Sequence, residues 1–192
     1  RKAFRSPKLD FESKGRILLN NVMKQDQSTG MVDDFTFELI DSMKFAHLQN
    51  AQIHAIEADL LFQSKLVDKS LAAYKRSLAL DSNQFLIWNR ILFIHSDQEN
   101  WLAMYTDGMA AIDLFPNQGT LYYLAGIGAY QMKNYKGAIE VLETGKDFIL
   151  DNNQLLVQLF STLGDAYHSL EDHKNSDANF DKCLELEPDN IA

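Results

Sequence analysis

Five histidines, 27 carboxylates and a lone cysteine are the side chains from which this chain would have to build a catalytic or metal site. His168 and His173 are five apart with Asp172 between them, and are expected on different helices. No HExxH and no paired CxxC occurs, so the spacings that place zinc ligands are missing. The same intervals group His173 with Val67, Trp101 and Tyr135, which reads as a packing position, and leave His168 on a groove or surface. His54 and Glu57 share a helical face and could in principle relay a proton; the reading adopted is an ion pair directed at a neighbouring element. Cys183 falls among Ser77, Ala111 and Gly145 at repeat spacing, the surroundings of an inert, packed thiol. Gly126-Ile127-Gly128 lacks the third glycine and preceding strand of a dinucleotide loop, and neither GxSxG nor GxxxxGK[ST] is present. The expectation is therefore no enzyme, no cofactor and no metal.

Composition sets the elements that must carry whatever function remains. With 46% hydrophobic residues in 192, three prolines and nine glycines, the chain can bury a sizeable core and favours helix over strands and turns. No apolar run approaches the roughly 20 residues that span a bilayer. The chain starts RKAF without an initiator Met, and is expected to be a piece of a longer protein. Net charge is −9, yet residues 1–16 hold six Lys and Arg against Asp10 and Glu12, so the remainder is more acidic still. That acidity argues against a nucleic-acid partner, which demands a basic face.

One turn is written three times: ALDSNQ (79–84), DLFPNQ (113–118) and ELEPDN (185–190). The first interval is 34 residues, the period of a helix-turn-helix repeat, and the second is twice that plus four. Registering the chain on it gives units at 51–84, 85–118, 119–152 and 157–190, with ILDNNQ (149–154) as the degenerate missing copy. In 119–152 the helices are expected at about 118–132 and 135–149. Trp88, Tyr122 and Phe160 form a bulky column; Ala58, Gly126 and Gly164 a small one; Ser70, Ala138 and Ser176 another. Small side chains admit close helices, and rings fill the space between pairs.

These columns resemble the tetratricopeptide repeat (TPR) family, most closely in LGDAYHSLEDHKNSDANFDKCLELEPDN (163–190), where Leu163, Gly164, Tyr167, Ser176, Phe180, Leu184 and Pro188 match its pattern. The resemblance implies an all-α fold, an α-α superhelix of about five antiparallel helix pairs with each first helix lining a concave surface. Domain expectations are a basic extension at 1–9, a divergent capping pair at 10–50 with helices near 10–25 and 33–48, and repeats over 51–192, cut before a further repeat that DNIA (189–192) begins. In the second unit Leu92 and Met104 occupy small columns, and Gly108 is expected to vacate the volume they fill. The four extra residues, about one helical turn, are expected to lengthen the fourth unit's first helix at its start, from an Asn cap at 152 or 153.

In this family the groove-facing stripe of the first helices contacts ligands. Mapped here, it comprises Gln52, Asp59, Phe62 and Gln63; Leu86, Asn89, Phe93 and Asp97; Tyr123, Ile127, Tyr130 and Gln131; Gln158, Ser161, Asp165 and His168. The resemblance would also imply a two-carboxylate clamp for acidic chaperone tails, but of its Lys, Asn and Arg only Asn89 is present. The expected function is a protein-interaction scaffold that binds a peptide or protein segment with apolar, aromatic or basic anchors. The alternative is a structural spacer or self-assembly module, including a homodimer through the uncapped last repeat. The repeat style resembles long TPR proteins of bacteria, many of them exported or lipid-anchored; cytoplasm and cell envelope both fit these residues.

Overall fold

The computed structural model describes residues 2–6, 8–23 and 32–187, and among them every regular element is helical. Pro188 and the DNIA segment, and most of the linker QDQSTGMVDD, lie outside the described residues. The chain divides into two compact units, residues 1–87 and 88–192.

The first unit contains α1 (Lys2–Arg5), α2 (Phe11–Met23), α3 (Asp34–Ala46), α4 (Ala51–Gln63) and α5 (Val67–Leu80). Its core joins Phe4 of α1 and Leu18 of α2 to Leu39, Ile40 and Met43 of α3 and Ile53 and Leu60 of α4. The short α1 is thus anchored by one buried ring, while Arg5 stacks over Phe45 at 5.8 Å. Asp33 caps α3 through the Thr36 amide. Within the α4–α5 pair, Ser70 Oγ donates to the Ala58 carbonyl and Ser77 Oγ to the Ala51 carbonyl, each at 2.8 Å, so the small columns also tie helices together. Glu57 takes Lys44 of α3 at 2.7 Å, with His54 Nδ1 3.6 Å away, the inter-element ion pair expected of it. Burial pulls the Lys44 pKa down, but bonds to Asp41 and Glu57 more than offset it and leave it raised.

The second unit begins within α6 (Phe85–Asp97) and continues with α7 (Trp101–Leu114), α8 (Gly119–Gln131), α9 (Tyr135–Gly145), α10 (Asn153–Ser169) and α11 (His173–Leu186). Second helices share one start signal: Asn100, Asn134 and Asp172 each accept an amide three residues on, at 3.3, 3.2 and 3.2 Å. Size complementarity runs between columns. A Cβ on Gly126 would meet Leu142, and one on Gly164 would meet the Phe180 ring.

Gly108 behaves differently from the expectation. Leu92 and Met104 are fully buried, but the atoms nearest an added Gly108 Cβ all belong to Ala125 of α8. Its bare backbone thus brings α7 against the following helix. The lengthened helix does appear: α10 has 17 residues where α6 and α8 have 13, and Asn152 caps it through the Leu155 amide at 3.0 Å. The helix before it is correspondingly short. α9 stops at Gly145 and a 3₁₀ turn, Lys146–Phe148, follows, rather than a helix to 149.

Candidate interaction surface

In the second unit the expected stripe lies on α6, α8 and α10. Asn89 and Phe93 are one turn apart on α6. Phe93 is 52% exposed, Asn89 is half-buried, and the buried Asn89 Oδ1 has no hydrogen-bond partner among the described residues. Asp97 is exposed at the end of the helix. Beneath this face His95 is buried, its Nε2 2.9 Å from Asp107 Oδ2, which fixes α6 to α7.

On α8, Tyr123, Ile127 and Tyr130 are half-buried and Gln131 is exposed. Tyr123 leans on Leu142, Ile149, Leu159 and Leu163, so part of its ring belongs to the packing between pairs. Tyr130 lies 5.6 Å from the Tyr135 ring, and burial, then the nearby Asp165 carboxyl, raises its pKa. On α10, Gln158, Asp165 and His168 are exposed. Partial desolvation raises the Asp165 pKa against the opposing pull of His168, whose ring stands 5.4 Å from His173. Tyr130, Asp165 and His168 therefore form one electrostatically linked group bridging α8 and α10.

The remaining stripe residues are in the first unit, on α4. Gln52, Phe62 and Gln63 are exposed. Asp59 accepts the Tyr74 hydroxyl of α5, so its carboxylate already has a structural bond. The Tyr74 and Asn89 roles, a bond within the pair and a buried acceptor without one, were not separable from residue type alone.

The other chemistry-bearing groups are structural in their contacts. Cys183 Sγ lies 3.4 Å from the Val157 carbonyl, and burial followed by Asp165 pushes its pKa up. Among the described residues, no three His, Cys, Asp or Glu side chains gather to hold a metal. Nor is any described helix long and apolar enough to cross a membrane.

The sequence model of the tetratricopeptide repeat matches residues 157–190, which contain α10 from its second turn and the whole of α11. No curated protein matches the chain by sequence. Among solved structures, MamA 41-end from Desulfovibrio magneticus RS-1 is similar at TM-score 0.69 and 16% identity, over 94% of this chain and 97% of that one. A crystal structure of MamA protein gives 0.72 and 17% over 95% and 98%. Identities this low speak for the fold. Residues 157–190 match the tetratricopeptide repeat, and the chain has the all-α, paired-helix solenoid fold of the MamA structures.

Proposed function

We propose that the chain is a protein-interaction scaffold, and that its second unit binds a partner segment along the face of α6, α8 and α10. The observation that carries this reading is Phe93, 52% exposed on α6 one turn from the half-buried Asn89, with the half-buried ring of Tyr130 on α8. The exposed Phe93 ring supplies apolar contact area for such a segment. Tyr130 and the Asp165 carboxylate extend the face toward a segment with apolar anchors and a Lys or Arg. The first-unit residues Gln52, Asp59, Phe62 and Gln63 are proposed as a contact surface of their own on α4.

The test is capture of partners by the immobilised protein and by its Phe93→Ala/Tyr130→Ala variant, with equal folding checked by circular dichroism. Partners lost from the variant support the face; a partner held equally by both dismisses it. Self-assembly is the second reading, favoured by Leu184, 48% exposed on α11. A monomer at high concentration in sedimentation would sink it.

A further inference from the structure

In the first unit α3, α4 and α5 enclose a cleft of about 560 Å³ that is separate from the stripe on α4. Its origin is legible in the repeat register. α3 and α4 stand 68 residues before α7 and α8. In the later pair Gly108 meets Ala125, and the helix backbones close. At those two positions the earlier pair has Ile40 and Glu57, both too large for such an approach. α3 does not close on α4 as α7 closes on α8, and the space between α3 and α5 is open.

The two lips of the cleft are written in the same spacing with opposite charge. On α3 the lining residues are Asp34, Phe37 and Asp41; on α5 they are Lys69, Ala72 and Arg76. Each set is charged, apolar, charged at i, i+3 and i+7, so each charge row runs about 10 Å along its helix. Neither Asp34 nor Lys69 has an ion-pair partner among the described residues. Leu61 and Leu66 give the floor an apolar surface. Glu57 lies there with Oε2 buried and without a hydrogen bond, the Arg76 guanidinium being 3.8 Å off.

The geometry points to this cleft as a docking site for an amphipathic helix of a protein partner, carrying an apolar stripe with basic residues along one edge and acidic residues along the other. The apolar stripe enters between Phe37, Leu61 and Leu66. The basic edge lies against Asp34 and Asp41, and the acidic edge against Lys69 and Arg76. A helix suits both charge rows, because its own i and i+7 side chains repeat at the same spacing of about 10 Å on one edge while i, i+3 and i+4 positions turn an apolar stripe to the floor.

The experiment uses the full chain and a fluorescein-labelled, lactam-stapled helical peptide with Leu at i, i+3 and i+7, Lys along one edge and Glu along the other. Anisotropy should show saturable binding that weakens as salt is raised. Lys69→Glu/Arg76→Glu should weaken it at least tenfold, and Asp34→Lys/Asp41→Lys comparably. All four residues are solvent-exposed, and unchanged melting verifies each variant's fold. A chain with both lips exchanged should recover affinity, since it presents the same pattern reversed and can take the peptide in the opposite direction. Phe93→Ala/Tyr130→Ala should leave this binding unchanged, which separates it from the second-unit face. No saturable binding, equal binding by the lip variants, or displacement of the peptide by a small apolar dye without regard to lip charge would overturn the proposal.

Discussion

Gly128 on α8 lies directly against the backbone of Tyr105 on α7: a Cβ added there would stand 2.9 Å from the Tyr105 amide nitrogen and 3.0 Å from the Trp101 carbonyl oxygen. Both neighbours are main chain and cannot turn aside. Gly128→Ala gains about 0.5–1 kcal/mol of helix preference but should lose about 1–3 kcal/mol to overpacking, for a net fall in melting temperature. Gly15→Ala is the contrasting case. Nothing lies within 4 Å of its added Cβ in the middle of α2, so only the helix gain remains and the melting temperature should rise. Equal shifts for the two variants would refute the close-approach explanation.

The thiol of Cys183 and the hydroxyl of Ser77 occupy one repeat position and face equivalent carbonyls, Val157 and Ala51. Replacing the weak sulfur donor by a hydroxyl, Cys183→Ser, should keep or raise stability by up to about 1 kcal/mol. The raised Cys183 pKa has a signed consequence. The fold favours the protonated thiol, so the unfolded chain releases that proton first and stability declines as pH climbs through the ordinary thiol range and above. Alkylation with iodoacetamide should be slower in the folded protein than in denaturant at the same alkaline pH.

Much of this was written in the residues. Four added residues before α10 preserve helical phase, so they lengthen a helix; the asparagine caps and the small columns follow from side-chain chemistry. Other features depend on distance between helices rather than on type. Gly108 was expected to compensate Leu92 and Met104 within its own pair, but its missing side chain points at Ala125 of the next. The α3–α5 cleft likewise depends on how closely two helices approach, although the register does show Ile40 and Glu57 standing where Gly108 and Ala125 stand later. Asn89 was legible as a stripe residue, whereas its unsatisfied oxygen was not, because satisfaction depends on every neighbour.

Lys14 and His47 form a nitrogen pair at 2.8 Å, Lys14 fully buried in α2 and His47 just after α3. Burial lowers both pKa values; Asp10 partly restores that of Lys14, and the Lys14 charge lowers His47 further. Both are bases whose folded pKa is depressed, so the unfolded chain takes up protons first as pH falls. His47 therefore costs stability progressively as pH drops below its unfolded value near 6.5, and Lys14 does so over the alkaline range below about 10.5. Thermal unfolding of the wild type should show melting temperature falling between pH 7 and 5 more steeply than in His47→Gln. Parallel profiles would show that this pair does not govern the acid response.

The turns inside the α4–α5, α6–α7, α8–α9 and α10–α11 pairs each hold a non-glycine residue in the left-handed region: Lys65, Glu99, Lys133 and Glu171 have φ of 60°, 53°, 61° and 61°. Their spacing of 34, 34 and 38 carries the repeat and its four-residue insertion into the backbone itself. No Gly or Asn marks these positions, which is why turn chemistry does not reveal them. The left-handed state costs an L-residue about 1–2 kcal/mol, while glycine adds unfolded-state entropy of about 0.5–1 kcal/mol. Lys133→Gly should therefore be neutral to stabilising. Lys133→Val, which places a β-branched side chain at the same φ, should destabilise by more than 1 kcal/mol, on the order expected for a strained backbone position. Urea unfolding of the two variants decides it: a valine variant as stable as the glycine variant would mean that the turn relaxes out of the left-handed region when its side chain demands it.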